Sequence, residues 1–325
     1  MNIRPQIKDI ENQIINWRRD FHQYPELAFD QPRTSKVIGD ALKSMGLVPK
    51  MNVGKTGVTA DLVFGDGPMI ALRADMDALP MQETSGLDFS SKHNGVMHAC
   101  GHDGHMAMLL GAAKVLSQNK NGLKGTVRFI FQPAEEGSGG ARYMIEDGCL
   151  DGVDEIYGIH VWNYQPVGEV GITDGPVLAA ADMFDIKIKG IGGHGAAPQG
   201  TVDAIIVASH LVQAFQTIVS RNTNPLESTV VTIGEIKGGN NFNIIADEVK
   251  LSGTARSYTE ENRTLIKTRM AEIIDGVAKT FGAEISFDYE DGYPPTINHV
   301  DPTKKVLKAA KRVVGEKAGR PYLSM

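Results

Sequence analysis

At 325 residues the chain is long for a single hydrophobic core, so two domains are the default expectation. An apolar content of 42%, a charged content of 22% and a formal charge of -6, with no run of Lys or Arg, fit an ordinary globular enzyme and speak against a nucleic-acid partner. The first ten residues are too polar for a secretory leader, no apolar run is long enough to span a membrane, and two cysteines make no disulfide framework, so a cytoplasmic protein is expected.

In chain order, Ile7, Ile10, Ile14 and Trp17 share one face of a helix over about 7–21, which the segment around Pro25 breaks. A second helix is expected over 34–45, stopped by Gly46. Four strand-like runs follow at 57–64, 69–74, 126–131 and 155–159, and the helical stretches among them read as crossovers in a mostly parallel sheet. The second run leads into Asp75 and Asp77, the third into Glu135 and Glu136, the fourth into His160. Ligands of open α/β sheets bind beyond the carboxyl ends of the strands, so these side chains converge on one edge.

Between the second and third runs lies His98-Ala99-Cys100-Gly101-His102-Asp103-Gly104-His105, with a thiol, three imidazoles and a carboxylate among small residues. The apolar helix that follows places the cluster at a helix N-terminus, where backbone N–H groups are expected to lower the pKa of Cys100. Any one of these residues alone reads as part of a polar turn. Together they read as a metal site, whose thiolate and imidazoles suit zinc, manganese, cobalt or nickel better than magnesium or calcium. Glu135 and Glu136 point to opposite sides on extended backbone, so one can ligate while the other serves as a general base. Asp75 reads equally as a turn cap.

From about 180 to 291 the order is strand, helix, strand, strand, helix, strand, which is that of a ferredoxin-like unit. The expected division is therefore a catalytic domain over 1–179 and 292–325, interrupted by an inserted α+β domain over 180–291. A basic amphipathic helix from about 302 is expected to cover the sheet.

The motif Cys100-Gly101-His102-Asp103-Gly104-His105 resembles the signature of the hippurate hydrolase, aminoacylase and auxin-conjugate hydrolase group of M20 metallopeptidases. The likeness runs from about Trp17 to the last residue and includes Arg73–Pro80, Gln132–Gly137, His160-Val161-Trp162 and Gly190–Pro198. It implies an α/β zinc-peptidase-like catalytic domain with a ferredoxin-like lid, hydrolysing the amide of N-acyl amino acids. By resemblance, two divalent ions (Mn, Zn, Co or Ni) are held by Cys100, His102, Glu136 and His160. Glu135 matches the base and Asp77 a residue that orients a site component or water. His98 and His105 fall outside the ligand set. The resemblance further implies a homodimer through the lid, with His194 reaching an active site across it. Asn243 and Arg256 match residues that hold the substrate carboxylate, a task suited to the arginine fork. The chain departs from the family at Gln199, where His is usual, and at Ala246, where Pro is frequent. The family also continues past 321–325 into an acidic loop and a last histidine ligand that His299 does not match. The alternative reading is thus a catalytically impaired metal- or ligand-binding protein.

Overall fold

The computed structural model describes residues 5–119 and 122–319, so the chain end at 321–325 lies outside the described residues. One compact unit takes the described residues of Met1–Glu169 with Ala310–Lys317, the other those of Val170–Ala309 and Ala318–Met325. No helix among the described residues is long and apolar enough to cross a membrane.

The first unit begins with a short turn of helix at Pro5–Lys8, then α1 (Glu11–Gln23) and α2 (Pro32–Ser44). The expected first helix is thus interrupted before Glu11. Pro32 opens α2, where a missing N–H costs nothing. Strands β1 (Lys50–Val53), β2 (Gly57–Val63) and β3 (Met69–Asp75) lead to α3 (His102–Gln118), β4 (Thr126–Gln132), α4 (Gly140–Glu146) and β5 (Glu155–Gly158). The sheet order is β1-β2-β4-β3-β5. Only β4, β3 and β5 run parallel; β2 is antiparallel to both β1 and β4. The expectation of a mostly parallel sheet therefore holds for half of it. The reason is the link from β2 to β3, a reversal too short for a parallel crossover. Gly67 in that link has φ 150°, and a Cβ there would stand 2.8 Å from the Gly125 nitrogen. Phe21, Ile38, Leu42, Met106, Leu110, Phe129 and Phe131 form the fully buried centre of the core.

The second unit contains β6 (Ala180–Lys189), α5 (Ala204–Thr217), β7 (Thr229–Gly238), β8 (Glu248–Ser257), α6 (Glu260–Phe281) and β9 (Glu284–Tyr293). Its sheet has the order β9-β6-β8-β7 with every neighbour antiparallel, which is the ferredoxin-like arrangement. Inward residues alternate along β6, and Phe184, Ile186 and Ile188 pack with Leu211, Phe215 and Met270. Asp203 caps α5 by accepting from the N–H groups of Ile205 and Ile206. Ile244–Ile245 does not run on into β8 but turns away to pair with Gly193–His194 before β8 begins. A ribbon of Gly175–Leu178 and Thr296–Asn298 lays the two ends of the insert side by side. The tail helix, α7 (Val300–Val314), forms, and none of its residues is buried.

Candidate metal centre

Asp75 ends β3, directly paired in register with Gln132 at the end of β4. Arg73 ties the two, donating from Nη1 to Asp75 Oδ2 at 2.7 Å and from Nε to Gln132 Oε1 at 2.9 Å. Burial pushes the Asp75 carboxyl up, but the hydrogen bond with His105 and the charge of Arg73 outweigh it and hold the group well below the usual range. Asp77, two residues on, grips the next loop. Its Oδ1 and Oδ2 accept the backbone N–H groups of Glu135 and Glu136, each at 2.9 Å. Ala134 just before them has φ 52°, a left-handed conformation that a non-glycine residue rarely adopts. The Asp77 clamp thus sits on a sharply turned backbone and sets where both glutamates go.

The helix α3 begins at His102 itself, so the expected loop extends only to Gly101, whose φ of 86° makes the turn. His102 is completely buried, and among the described residues neither of its ring nitrogens has a hydrogen-bond partner. Its Nε2 stands 3.6 Å from Asp75 Oδ2, 3.8 Å from Glu136 Oε1 and 4.0 Å from Glu135 Oε2, while Nδ1 is 3.6 Å from Asp77 Oδ1. The buried Oε1 of Glu136 is likewise without a partner. Orphaned buried groups of this kind cost about 1–3 kcal/mol each, which a shared cation between them would remove. Cys100 Sγ lies 3.4 Å from His160 Nε2, and His160 Nδ1–H donates to the Val161 carbonyl at 2.6 Å, leaving Nε2 directed at the thiol.

Two groups of donor atoms lie within 4.8 Å of one another: Cys100, His102 and Glu136, and Asp75, His102, His105 and His160. His102 belongs to both. Nitrogen, sulfur and carboxylate oxygen around an unpartnered imidazole fit a borderline-soft divalent ion. Electrostatics agree. Burial lowers the His102 pKa, yet Asp77, Cys100 and Asp75 together push it up to about 11, so the pocket calls for positive charge. Burial first, then Glu136 and Asp75, raise the Glu135 carboxyl. The Cys100 thiol departs from expectation. His102 lowers it, but burial and the Glu136 charge prevail and its pKa is raised.

All four ligands expected from the sequence, Cys100, His102, Glu136 and His160, therefore gather at one place, with Glu135 beside them and Asp77 beneath. The sequence placed Asp75 at the converging edge and His105 in the dense cluster but left both out of the ligand set, whereas both stand among the donor atoms around His102. Their signal was proximity in sequence to Asp77 and His102, which alone does not say where a side chain points. A neighbouring network has pairings that the sequence did not announce. Buried His22 donates to Asp103 Oδ2 at 2.9 Å and to Glu83 Oε1 at 3.2 Å, and Arg18 donates to Asp103 at 3.1 Å. Glu83 lies on an irregular stretch with no pattern to mark it. Beside this network His98 is buried, and burial pushes its pKa down to about 4.

The remaining candidates belong to the second unit. His194 and Asn243 come together: His194 pairs with Ile244, Gly195 N–H donates to the Asn243 carbonyl at 2.9 Å, and both side chains are exposed. Arg256 lies on β8 between Ala181 and Val230, half-buried, and no carboxylate among the described residues pairs with its guanidinium. Gln199 sits in the exposed turn Pro198–Gly200, and Ala246 is buried, its carbonyl accepting from Ala204 N–H at 3.2 Å.

A sheet whose strand ends carry this donor set, followed by a ferredoxin-like unit, defines the class of α/β metallopeptidases. Residues 71–324 match the model of peptidase family M20/M25/M40, and the chain belongs to that family. It is 45% identical over 307 residues to an N-acetyl-L-cysteine deacetylase of Bacillus subtilis, covering 94% of this chain and 74% of the relative. It is 42% identical over 299 residues to an N-acyl-L-amino acid amidohydrolase of Geobacillus stearothermophilus, covering 91% and 81% respectively. Among solved structures, it resembles the Bacillus subtilis YXEP protein, described as a dinuclear metal binding peptidase of the M20 family. That match has a TM-score of 0.83 at 37% identity and covers 98% of this chain and 83% of the other.

Proposed function

We propose that this protein is a dinuclear metal-dependent amidohydrolase that cleaves N-acyl amino acids to a carboxylic acid and a free amino acid. The observation that carries the reading is His102: fully buried, unpartnered at both nitrogens, and ringed by Cys100, Glu136, Asp75 and Asp77. Cys100, His102, Glu136 and His160 would hold two divalent ions, of which manganese, zinc, cobalt and nickel suit the donors. When bound, such ions polarise the scissile carbonyl and acidify water. The protein's own residues do the rest. Glu135 takes the proton of the attacking water and returns it to the amine nitrogen as the C–N bond breaks, a role that its raised pKa suits. Asp77 holds the backbone of Glu135 and Glu136, so base and ligand keep a fixed spacing through the reaction.

In this reading 1–179 with 292–325 form the catalytic domain and 180–291 the lid. The relatives' names, with substrates ending in an amino-acid carboxylate, support a carboxylate-binding task for the unpaired Arg256. Its fork and Asn243 bind that carboxylate, and His194 steadies the substrate. The protein works in the cytoplasm as a homodimer joined through the lid, where exposed Ile205, Ile206, Val230 and Ile236 offer an apolar surface. The deciding experiment is a hydrolysis screen of N-acyl amino acids, acetyl and benzoyl, with each of the four metals and a parallel metal assay. Metal bound at two ions per chain with release of free amino acid is the expected result. A fully loaded chain inert towards the whole set would overturn it.

A further inference from the structure

His160 stands beyond the end of β5, exposed, where no strand ladder fixes its backbone. What holds it is the next residue. Val161 N–H donates to His105 Nε2 at 2.9 Å, and the Val161 carbonyl receives His160 Nδ1–H at 2.6 Å. A ring nitrogen that accepts a backbone N–H carries no proton, so the hydrogen of the neutral His105 ring sits on Nδ1. There Asp75 Oδ1 accepts it at 2.6 Å. Asp75 is fixed in turn by Arg73, and Arg73 by Gln132, so the bonds run from two paired strands to the backbone beside His160. Contact on the other side completes the seat: a Cβ at Gly101 would come 2.3 Å from Val161 Cγ2. The His105 and His160 rings lie 4.7 Å apart between centroids.

We propose that His105 is a positioning residue which, by accepting Val161 N–H, seats His160 against the Cys100–His102 turn. Asp75 sets the tautomer that makes this possible. The proposal rests on the reading of His160 as a metal ligand. It assigns His105 a task other than ligation, since its Nε2 already accepts Val161 N–H and its Nδ1 already faces Asp75. Groups that orient ligands in this way commonly matter for metal affinity by about 10–100-fold.

Two substitutions of the full chain separate these roles. The amide oxygen of His105→Gln reaches about where Nε2 stands, whereas that of His105→Asn falls short. Hydrogen exchange at the Val161 amide, read by NMR in the metal-free protein, should stay slow in wild type and His105→Gln. It should quicken by roughly five- to tenfold in His105→Asn, the loss expected for one hydrogen bond. Zinc titrated against a chromogenic chelator should bind about 10–100-fold more weakly to His105→Asn than to wild type, with most of the affinity kept by His105→Gln. The number of ions at saturation should not change. Unaltered Val161 exchange in His105→Asn overturns the proposal, and so does loss of one ion from both variants, which would make His105 itself a ligand. A wild-type chain that binds no zinc, yet shows the expected Val161 pattern, fails the ligand reading and leaves the His105–Val161 contact standing.

Discussion

Two deeply buried side chains, one in each unit, are treated in opposite ways. In the second, Asp182 lies almost fully buried on β6 with every need met: it accepts from Arg263 Nε and Nη2, from Tyr289 Oη and from Gly292 N–H. In the first, His102 is buried just as deeply with neither nitrogen satisfied, among carboxylates that stand 3.6 to 4.0 Å away. A fully satisfied buried charge belongs to the architecture. An unsatisfied one, maintained beside several others at the ends of different strands, marks chemistry that the fold sustains at a cost in stability.

Removing the base should have the largest effect. Glu135→Gln keeps size and hydrogen bonding but cannot accept a proton, so kcat should fall about 10²–10⁴-fold with metal content unchanged. A near-normal rate in a loaded mutant would move the base elsewhere. The counterpart in the second unit is Arg263→Leu, which leaves Asp182 buried and charged without its partner. Breaking a buried pair this way costs about 3–5 kcal/mol, read as a lowered urea midpoint, while metal binding is untouched. If the stability of Arg263→Leu matched wild type, the satisfied pair would be decoration and the contrast between the units would fail.

Much of this contrast was legible in the sequence, and unevenly so. The second unit could be read almost element by element, because helices with regular apolar spacing and half-buried strands with alternation announce themselves, as α6 and β6 do. Ile244–Ile245 escaped, since an apolar pair cannot say which strand it will join, and so did the ribbon of Gly175–Leu178 and Thr296–Asn298. In the first unit the metal donors were legible because His98 to His105 is so dense in them. The sheet direction was not, because it depended on the short reversal after β2. Asp182 and Arg263 are 81 positions apart, and Glu83 pairs with His22 across 61; no local pattern carries such partnerships.

A gentler change sharpens the comparison. Asp77→Asn preserves the shape of the group below Glu135 and Glu136 but replaces one accepting oxygen with an amide that cannot take an N–H. One of the two backbone bonds at 2.9 Å is lost, and so is a negative charge 3.6 Å from His102. Metal affinity should fall about 10–100-fold, as is usual for groups that orient ligands, with the chain still folded by circular dichroism. Unchanged affinity would confine Asp77 to the backbone of the loop.

The smallest effect expected is a difference in how the units answer pH. Asp182 is pushed up by burial, but the Arg263 hydrogen bonds, Gly292 N–H and Tyr289 outweigh this and depress its pKa. Its stabilisation is therefore present above the unfolded aspartate value of about 3.9 and lost as pH falls through the folded value. His22 behaves in the opposite sense. The hydrogen bond to Asp103 raises its pKa; burial opposes, and Glu83 adds to the rise. Its contribution is complete below about pH 6.5 and is lost as pH rises through the raised value. Asp103 and Glu83, both depressed, weaken on the acid side as Asp182 does. Acid should thus loosen both units, whereas mild alkali should loosen only the packing around His22. Hydrogen exchange followed by mass spectrometry on Glu11–Gln23 and on Ala180–Lys189, after correction for the intrinsic pH dependence of exchange, separates the two. Equal alkaline responses in both segments would show that His22 holds no positive charge between Asp103 and Glu83.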